Sequence, residues 1–304
     1  MRNALLFVAG GALAILAAAA IGSCSAVKTA TEIAAGEGLI TEEQKGSIDR
    51  TNEAFRRSQE DLTEEEEYYI GRAVAADLIA RYGLHDDPAL TAYLNRVGKA
   101  VSVFSTRPEI FAGYHVAVLA TDEVNAFATP GGFIFVTRGI LRLVPDEEAL
   151  AAVLAHEVAH VANRHGLQAI NKNRLLEAFS VLGNEASRTL DQNEIAKLTE
   201  IYDGAVGDVV KTLVETGYSR EQESVADRQA VEFAAGVGYQ PDAMLGFLDR
   251  MGSAETAEPL GMFLTHPPAA ERKAGLQPVV GSLAGQGTDP EARRSRFRES
   301  LSKL

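Results

Sequence analysis

Asp146-Glu147-Glu148-Ala149-Leu150-Ala151-Ala152-Val153-Leu154-Ala155-His156-Glu157-Val158-Ala159-His160-Val161-Ala162-Asn163-Arg164 is the stretch on which the fold turns. It reads as one helix, apolar on one side, with Gly166 as its stop. Within it stands His-Glu-x-x-His. A spacing of four puts the imidazoles of His156 and His160 on one helical face, where together they chelate one Zn²⁺. Glu157 follows His156 directly and is placed to hold a water beside the metal and take its proton. Five residues recur by chance, so the flanks matter. Ala151, Val153, Leu154, Ala155, Val158 and Val161 are all apolar, and a charged triplet buried among them needs a partner.

A zinc site with two histidines on one helix needs a third ligand. A third histidine does not follow at the helix end, where Gly166 stands. His165 lies about 180° round the helix from His156, at about 100° per residue, and reads as a helix-end or supporting residue. A glutamate on a second helix is the other solution. Downstream of the motif only Glu223 has an aspartate four residues later, Asp227. One face of that helix then offers Glu223 to the metal and Asp227 to the outer nitrogen of a ligating histidine, which fixes ring and tautomer.

Further out, the pattern is mostly helical. Thr63 with Glu64, Glu65 and Glu66 forms a capping-box start, and Tyr69, Ile70, Val74, Leu78 and Ile79 recur at helical spacing. A second helix is expected over Pro88–Val103, with Leu90, Tyr93, Leu94 and Val97 inward. His115–Leu119 reads as a strand. Residues 124–137 read as strand, turn, strand, punctuated by Pro130, Gly131 and Gly132. Residues 167–216 read as mainly helical, and a helix is expected from Arg220 to Ala235. The basic stretch from Pro290 to Leu304 reads as a surface helix or a frayed tail.

The chain has 304 residues, 46% hydrophobic and 23% charged. That balance excludes a wholly disordered, collagen-like or polytopic membrane protein. A net charge of -13 argues against a nucleic-acid partner, which needs a cationic footprint. The one cysteine, Cys24, excludes an intrachain disulfide and a cysteine-built zinc knuckle. Residues 4–21 form an unbroken apolar or glycine run behind Arg2, which reads as an export signal. Ile21-Gly22-Ser23-Cys24 resembles a bacterial lipobox, implying cleavage before Cys24 and a lipidated thiol that tethers the protein to a membrane. Ser25 stands where an aspartate marks inner-membrane retention, so an outer-membrane lipoprotein facing the periplasm is the expected location. An uncleaved anchor or an ordinary signal peptide is the other reading, and both export the chain.

Ser219-Arg220-Glu221-Gln222-Glu223-Ser224-Val225-Ala226-Asp227 resembles a segment of the HtpX/Ste-type zinc endopeptidases, peptidase family M48. So do the strand segment at 124–140 and Thr265-His266-Pro267 followed by Arg272. Within that family the chain is similar to the exported BepA/LoiP-like branch, and it ends too early for a helical-repeat domain of the BepA type. The resemblance implies one Zn²⁺ per chain held by His156, His160 and Glu223, with Glu157 as the base. It also brings in two late residues. His266 belongs at the metal, either as a removable fourth ligand or as a donor to the oxyanion. Arg272 either orients that segment or binds substrate carbonyls.

The expected fold class is α+β: a mainly helical, zincin-like (gluzincin) metallopeptidase domain with a small β-sheet whose edge strand lines the cleft. The strand over residues 131–137, with Gly132, Phe133, Ile134 and Phe135, is expected to be that edge and to align an extended peptide by β-augmentation. The expected domains are a lipoprotein signal peptide (1–23), a tether (24–61), the zinc metallopeptidase domain (62–285) and a basic C-terminal tail (286–304). Backbone pairing is blind to side chains, so the expected substrates are unfolded or misassembled envelope proteins, with outer-membrane assembly machinery as a partner. The expected function is a membrane-tethered zinc metalloendopeptidase of protein quality control.

Overall fold

Thr63 begins the first helix as a reciprocal cap: its hydroxyl accepts from the Glu66 N–H at 3.2 Å, and its own N–H donates to Glu66 Oε2 at 2.8 Å. In this computed structural model, residues 62–171, 174, 192–255, 261–302 and 304 are described, with a few isolated positions between 32 and 45. The signal segment, Cys24 and nearly all of the tether lie outside the described residues. The chain divides into two units, one made of Thr63–Ile170 with Ala205–Leu304, the other of Met1–Leu62 with Asn171–Gly204. The second is described mainly through residues 192–204, which are helical.

The first unit begins with α1 (Glu64–Tyr82) and α2 (Pro88–Ser102), then β1 (His115–Leu119), β2 (Ala126–Ala128) and β3 (Phe133–Thr137). A short helix α3 (Arg138–Leu143) leads to α4 (Glu147–Ala162), followed by the single turn α5 (His165–Gln168). Helix α6 (Gln192–Lys211) ends in a π-turn over Thr212–Thr216. Then come α7 (Arg220–Val237), α8 (Ala243–Glu255), the single turn α9 (Met262–Thr265), α10 (Ala269–Ser282) and α11 (Glu291–Ser300). The architecture is helical α+β, as the sequence indicates.

Helix α4 is the axis of this unit. Asp146 caps it by accepting from the Ala149 N–H at 3.0 Å. Every residue from Glu147 to Ala162 is buried, so the helix is enclosed all round rather than apolar on one side. Helix α7 lies along it, with α2 and α8 on other faces and β2 beside it. Inward positions on α2 are Leu90, Tyr93, Leu94 and Val97, as expected. On α1 the buried set includes Ile70, Val74 and Leu78, whereas Tyr69 is exposed.

The end of α4 differs from expectation. The helix stops before Gly166, because Arg164 takes a left-handed conformation at φ 54°. Such a backbone is unfavourable for a residue with a Cβ. It is held by Arg164 Nε on the buried Glu67 carboxylate at 3.1 Å, which also accepts from Arg107 and from the Gly131 N–H. Gly166 instead lies against the Pro130 ring. Gly71 lets α1 approach the same turn, since a Cβ there would meet the Pro130 carbonyl at 1.7 Å.

The sheet has the order β1-β3-β2, with β1 parallel and β2 antiparallel to β3. This overturns one expectation. Strand β3 is central, with neighbours on both sides, so Phe133, Ile134 and Phe135 present no free backbone edge. Gly132 lies in the turn before it. The outer strands are β1 and β2.

Of the two readings of residues 290–304, the structure has the surface helix. Helix α11 belongs to the same unit as the rest. Phe297 is buried in the core, and two arginines of α11 grip the start of α4. Arg296 Nε donates to Glu147 Oε2 and Arg293 Nε to Glu148 Oε1, both at 2.5 Å. It is a docked helix, not a frayed tail.

Candidate metal centre and cleft

His156 and His160 stand one turn apart on α4, and Glu223 meets them from the first turn of α7. Ser219 caps α7 with a box of its own: Oγ accepts from the Gln222 N–H at 3.2 Å, and the Gln222 side chain returns to the Ser219 N–H at 3.0 Å. His266 arrives from the loop after α9. Ligand atoms of His156, His160, Glu223 and His266 all lie within 4.8 Å of one another. The Nε2 atoms of His156 and His160 are 3.0 Å apart. The Glu223 oxygens stand 3.6 Å from His156 Nε2, 3.5 Å from His160 Nε2 and 3.6 Å from His266 Nε2.

Those separations suit donors gathered round one small cation, since zinc bonds of about 2.0–2.2 Å set tetrahedral neighbours roughly 3.3 Å apart. The electrostatics agree. Both Glu223 oxygens are buried with no hydrogen-bond partner. Burial pushes its carboxyl well above the usual carboxylate range, with Arg272 opposing. An anion buried without donors is costly unless a cation completes it. Burial likewise holds His156 and His160 below the usual imidazole range, which keeps them neutral, the form that binds metal. The residues therefore fit zinc.

The two helical histidines are supported differently. His156 Nδ1 meets Asp227 Oδ1 at 2.9 Å. Arg272 clamps Asp227 from the other side, with Nε at 2.9 Å and Nη2 at 2.6 Å. Burial alone would raise the Asp227 carboxyl, but Arg272 and His156 hold it well below its usual range. Arg272, expected to orient the His266 segment or bind substrate carbonyls, holds Asp227 and also stands 3.4 Å from His156 Nδ1 through Nη2. His160 has no carboxylate behind it. Its Nδ1 meets His165 Nδ1 at 2.9 Å, and the Tyr218 ring stacks on it with centroids 4.4 Å apart and planes at 20°. His165 reaches that place because Arg164 turns the chain back.

Glu157 points into a cleft whose walls include the β2 edge, His160, Tyr218 and His266. Its Oε1 has no partner. Burial pushes its carboxyl up to about 8, with Arg272 opposing, and a bound divalent cation pulls it back down. The strand along this cleft is Ala126–Ala128, not residues 132–135. His266 is fixed at its Nδ1 by Thr265 Oγ1 at 3.0 Å. The loop before it is anchored by the Met262 N–H on the Val124 carbonyl at 2.9 Å.

Tyr218 escaped the sequence reading. It stands one residue ahead of the Ser219 cap, and no spacing rule separates such a tyrosine from an ordinary packing residue. Gly217 places it: φ is 71°, and a Cβ there would meet the Thr265 carbonyl at 1.9 Å.

Comparison with known proteins agrees with this geometry. The sequence model described as Peptidase family M48 matches residues 88–279. The chain is 28% identical over 212 residues to a beta-barrel assembly-enhancing protease of Yersinia pestis, covering 68% of this chain and 42% of that protein. It is 28% identical over 226 residues to the mitochondrial metalloendopeptidase OMA1 of Schizosaccharomyces pombe, covering 71% and 62%. It is 30% identical over 159 residues to the metalloprotease LoiP of Escherichia coli, covering 51% and 58%. The chain thus spans less than two thirds of the length of each of these relatives.

Proposed function

The chain belongs to peptidase family M48, and from that premise we propose that it is a zinc metalloendopeptidase that hydrolyses unfolded or misassembled proteins of the cell envelope while tethered to a membrane through Cys24. His156, His160 and Glu223 would hold the metal, and zinc bound there would polarise the scissile carbonyl and acidify a water. Glu157 takes the proton of the attacking water and passes it to the leaving amine. Asp227, clamped by Arg272, keeps the His156 ring and tautomer fixed. The outer edge of β2, Ala126–Ala128, would pair an extended substrate backbone beside Glu157, with the Ala126 N–H released from Asn125 Oδ1. Such pairing selects unfolded chains, since folded ones have no free strand to offer.

The observation that carries this reading is the buried Glu223 carboxylate, without a hydrogen-bond donor and facing three imidazoles. Relatives named for beta-barrel assembly support an envelope substrate and an outer-membrane assembly partner. Among the described residues no helix is long and apolar enough to cross a membrane; the proposed tether is Cys24, behind the apolar run of residues 4–21. The test is cleavage of unfolded casein by the wild type and by Glu157→Gln, with zinc measured in both. Equal cleavage by the two proteins overturns the reading.

A second reading draws on His266. Its place in the ligand cluster would let it serve as a fourth donor that keeps water from the metal, as in a restrained protease or a zinc-stabilised binding module. His266→Ala separates these: activity that rises with zinc retained marks a restraint, and activity absent in both forms marks the binding module.

A further inference from the structure

Tyr218 carries a feature that neither the metal set nor the fold explains. Its hydroxyl is buried and has no hydrogen-bond partner. A buried hydroxyl without a partner is disfavoured in a folded protein, and its persistence points to a ligand atom that arrives later. The ring cannot easily turn away. It is stacked on His160 at 4.4 Å and lies 5.6 Å from the His165 ring. Gly217 presses the backbone on one side against the Thr265 carbonyl, and the Ser219 cap fixes it on the other.

Among the described residues, the buried side-chain donors without a partner are Arg138 Nε, Arg272 Nη1 and the Tyr218 hydroxyl. Of these, only Tyr218 lines the cleft that holds Glu157, the β2 edge and His266. His266 Nδ1 is engaged with Thr265, and its Nε2 faces Glu223 in the ligand cluster. Among the described residues, that leaves the cleft one buried side-chain donor free to meet a new acceptor.

We propose that Tyr218 is a catalytic residue whose hydroxyl donates a hydrogen bond to the oxyanion formed when water adds to the scissile carbonyl. The proposal rests on the metallopeptidase reading above. In the step, the water oxygen bonds to the carbonyl carbon and one water proton passes to Glu157. The carbonyl π pair moves onto oxygen, where the phenol O–H meets it. Tyr218 keeps its proton throughout, so no further acid or base is needed. A preorganised donor of this kind acts on the transition state more than on the bound substrate. Its loss therefore lowers kcat and leaves KM nearly unchanged.

Tyr218→Phe is the discriminating variant, since it keeps the ring on His160 and removes only the hydroxyl. The zinc-loaded full chain is assayed on an unfolded casein fragment, with zinc content and the binding of a phosphinic peptide, a tetrahedral mimic, measured by calorimetry. The expected result is a kcat about 10²-fold lower, unchanged KM and zinc, and a comparable loss of affinity for the mimic but not for a cleavage-product peptide. Wild-type kcat in the variant overturns the proposal, and so does loss of zinc, which makes Tyr218 a metal-site support. A wild type that neither binds zinc nor cleaves casein overturns the metallopeptidase reading itself, and the proposal with it.

Discussion

Helix α4 buries carboxylates at both its ends and treats them in opposite ways. At its start, Glu147 accepts from the Tyr93 and Tyr239 hydroxyls, each at 2.9 Å, and from Arg296. Glu148 accepts from the Gln240 N–H at 2.7 Å and from Arg293. Three turns on, Glu157 has an oxygen with no partner, and Glu223 beside it has two. Burial is similar at both places; satisfaction is not. A buried anion surrounded by donors is architecture. A buried anion left short of donors marks where a cation, a water or a substrate completes the set.

The largest effect expected from this contrast is in turnover. Glu157→Gln should lower cleavage by about 10²–10⁴-fold while the thermal midpoint stays level or rises, because a neutral amide sits more easily in a buried site. A clear loss of stability, read by calorimetry, would place Glu157 with the structural carboxylates. Arg296→Met should do the reverse. It removes the cation from Glu147 and should cost about 2 kcal/mol in urea unfolding, discounted because the arginine is half exposed. Turnover per folded molecule should be unchanged; a selective loss of kcat would break the division between the two ends.

Those two ends differ in how far sequence reached them. The metal end was legible because coordination demands fixed residue types at fixed spacing, and His156, Glu157, His160, Glu223 and Asp227 meet those demands within two helices. The other end was not. Nothing in a run of arginines at 293–298 says which buried anions it will meet, since that pairing is made across the whole domain. Strand order failed for a related reason. Pro130, Gly131 and Gly132 announce a turn, but whether β2 or β3 takes the edge depends on β1 adding beside β3, a contact remote in sequence.

Smaller effects sharpen the contrast within the metal end. His165 supports His160 with an imidazole where Asp227 supports His156 with a clamped carboxylate. His165→Phe keeps the bulk and removes the acceptor, and should weaken zinc affinity about 10-fold, the low end for such supports. His165→Asn returns an acceptor to the same place and should recover most of it. A competition titration with a chromophoric chelator reads both, and equal affinity in the wild type and His165→Phe would deny His165 that role.

The least effect lies in pH dependence. Burial alone would raise the Glu147 carboxyl, but Arg296, Tyr93 and Tyr239 together lower it. Its contribution is therefore fully present above the unfolded carboxylate value of about 4.3 and is lost as pH falls below it. Glu147→Gln should flatten the acid limb of the thermal midpoint. An acid limb as steep as that of the wild type would assign the proton uptake elsewhere.

The grip of α11 on α4 also has a meaning in time. Arg296 meets Glu147 across 149 positions of chain. Synthesis proceeds from the N-terminus, so α4 emerges long before the cations that neutralise its start. Before they arrive, Glu147 has the Tyr93 and Tyr239 hydroxyls and Glu148 the Gln240 N–H as donors, but no arginine. The order of synthesis thus sets the anions of α4 in the chain first and their arginine partners 145 and 149 positions later.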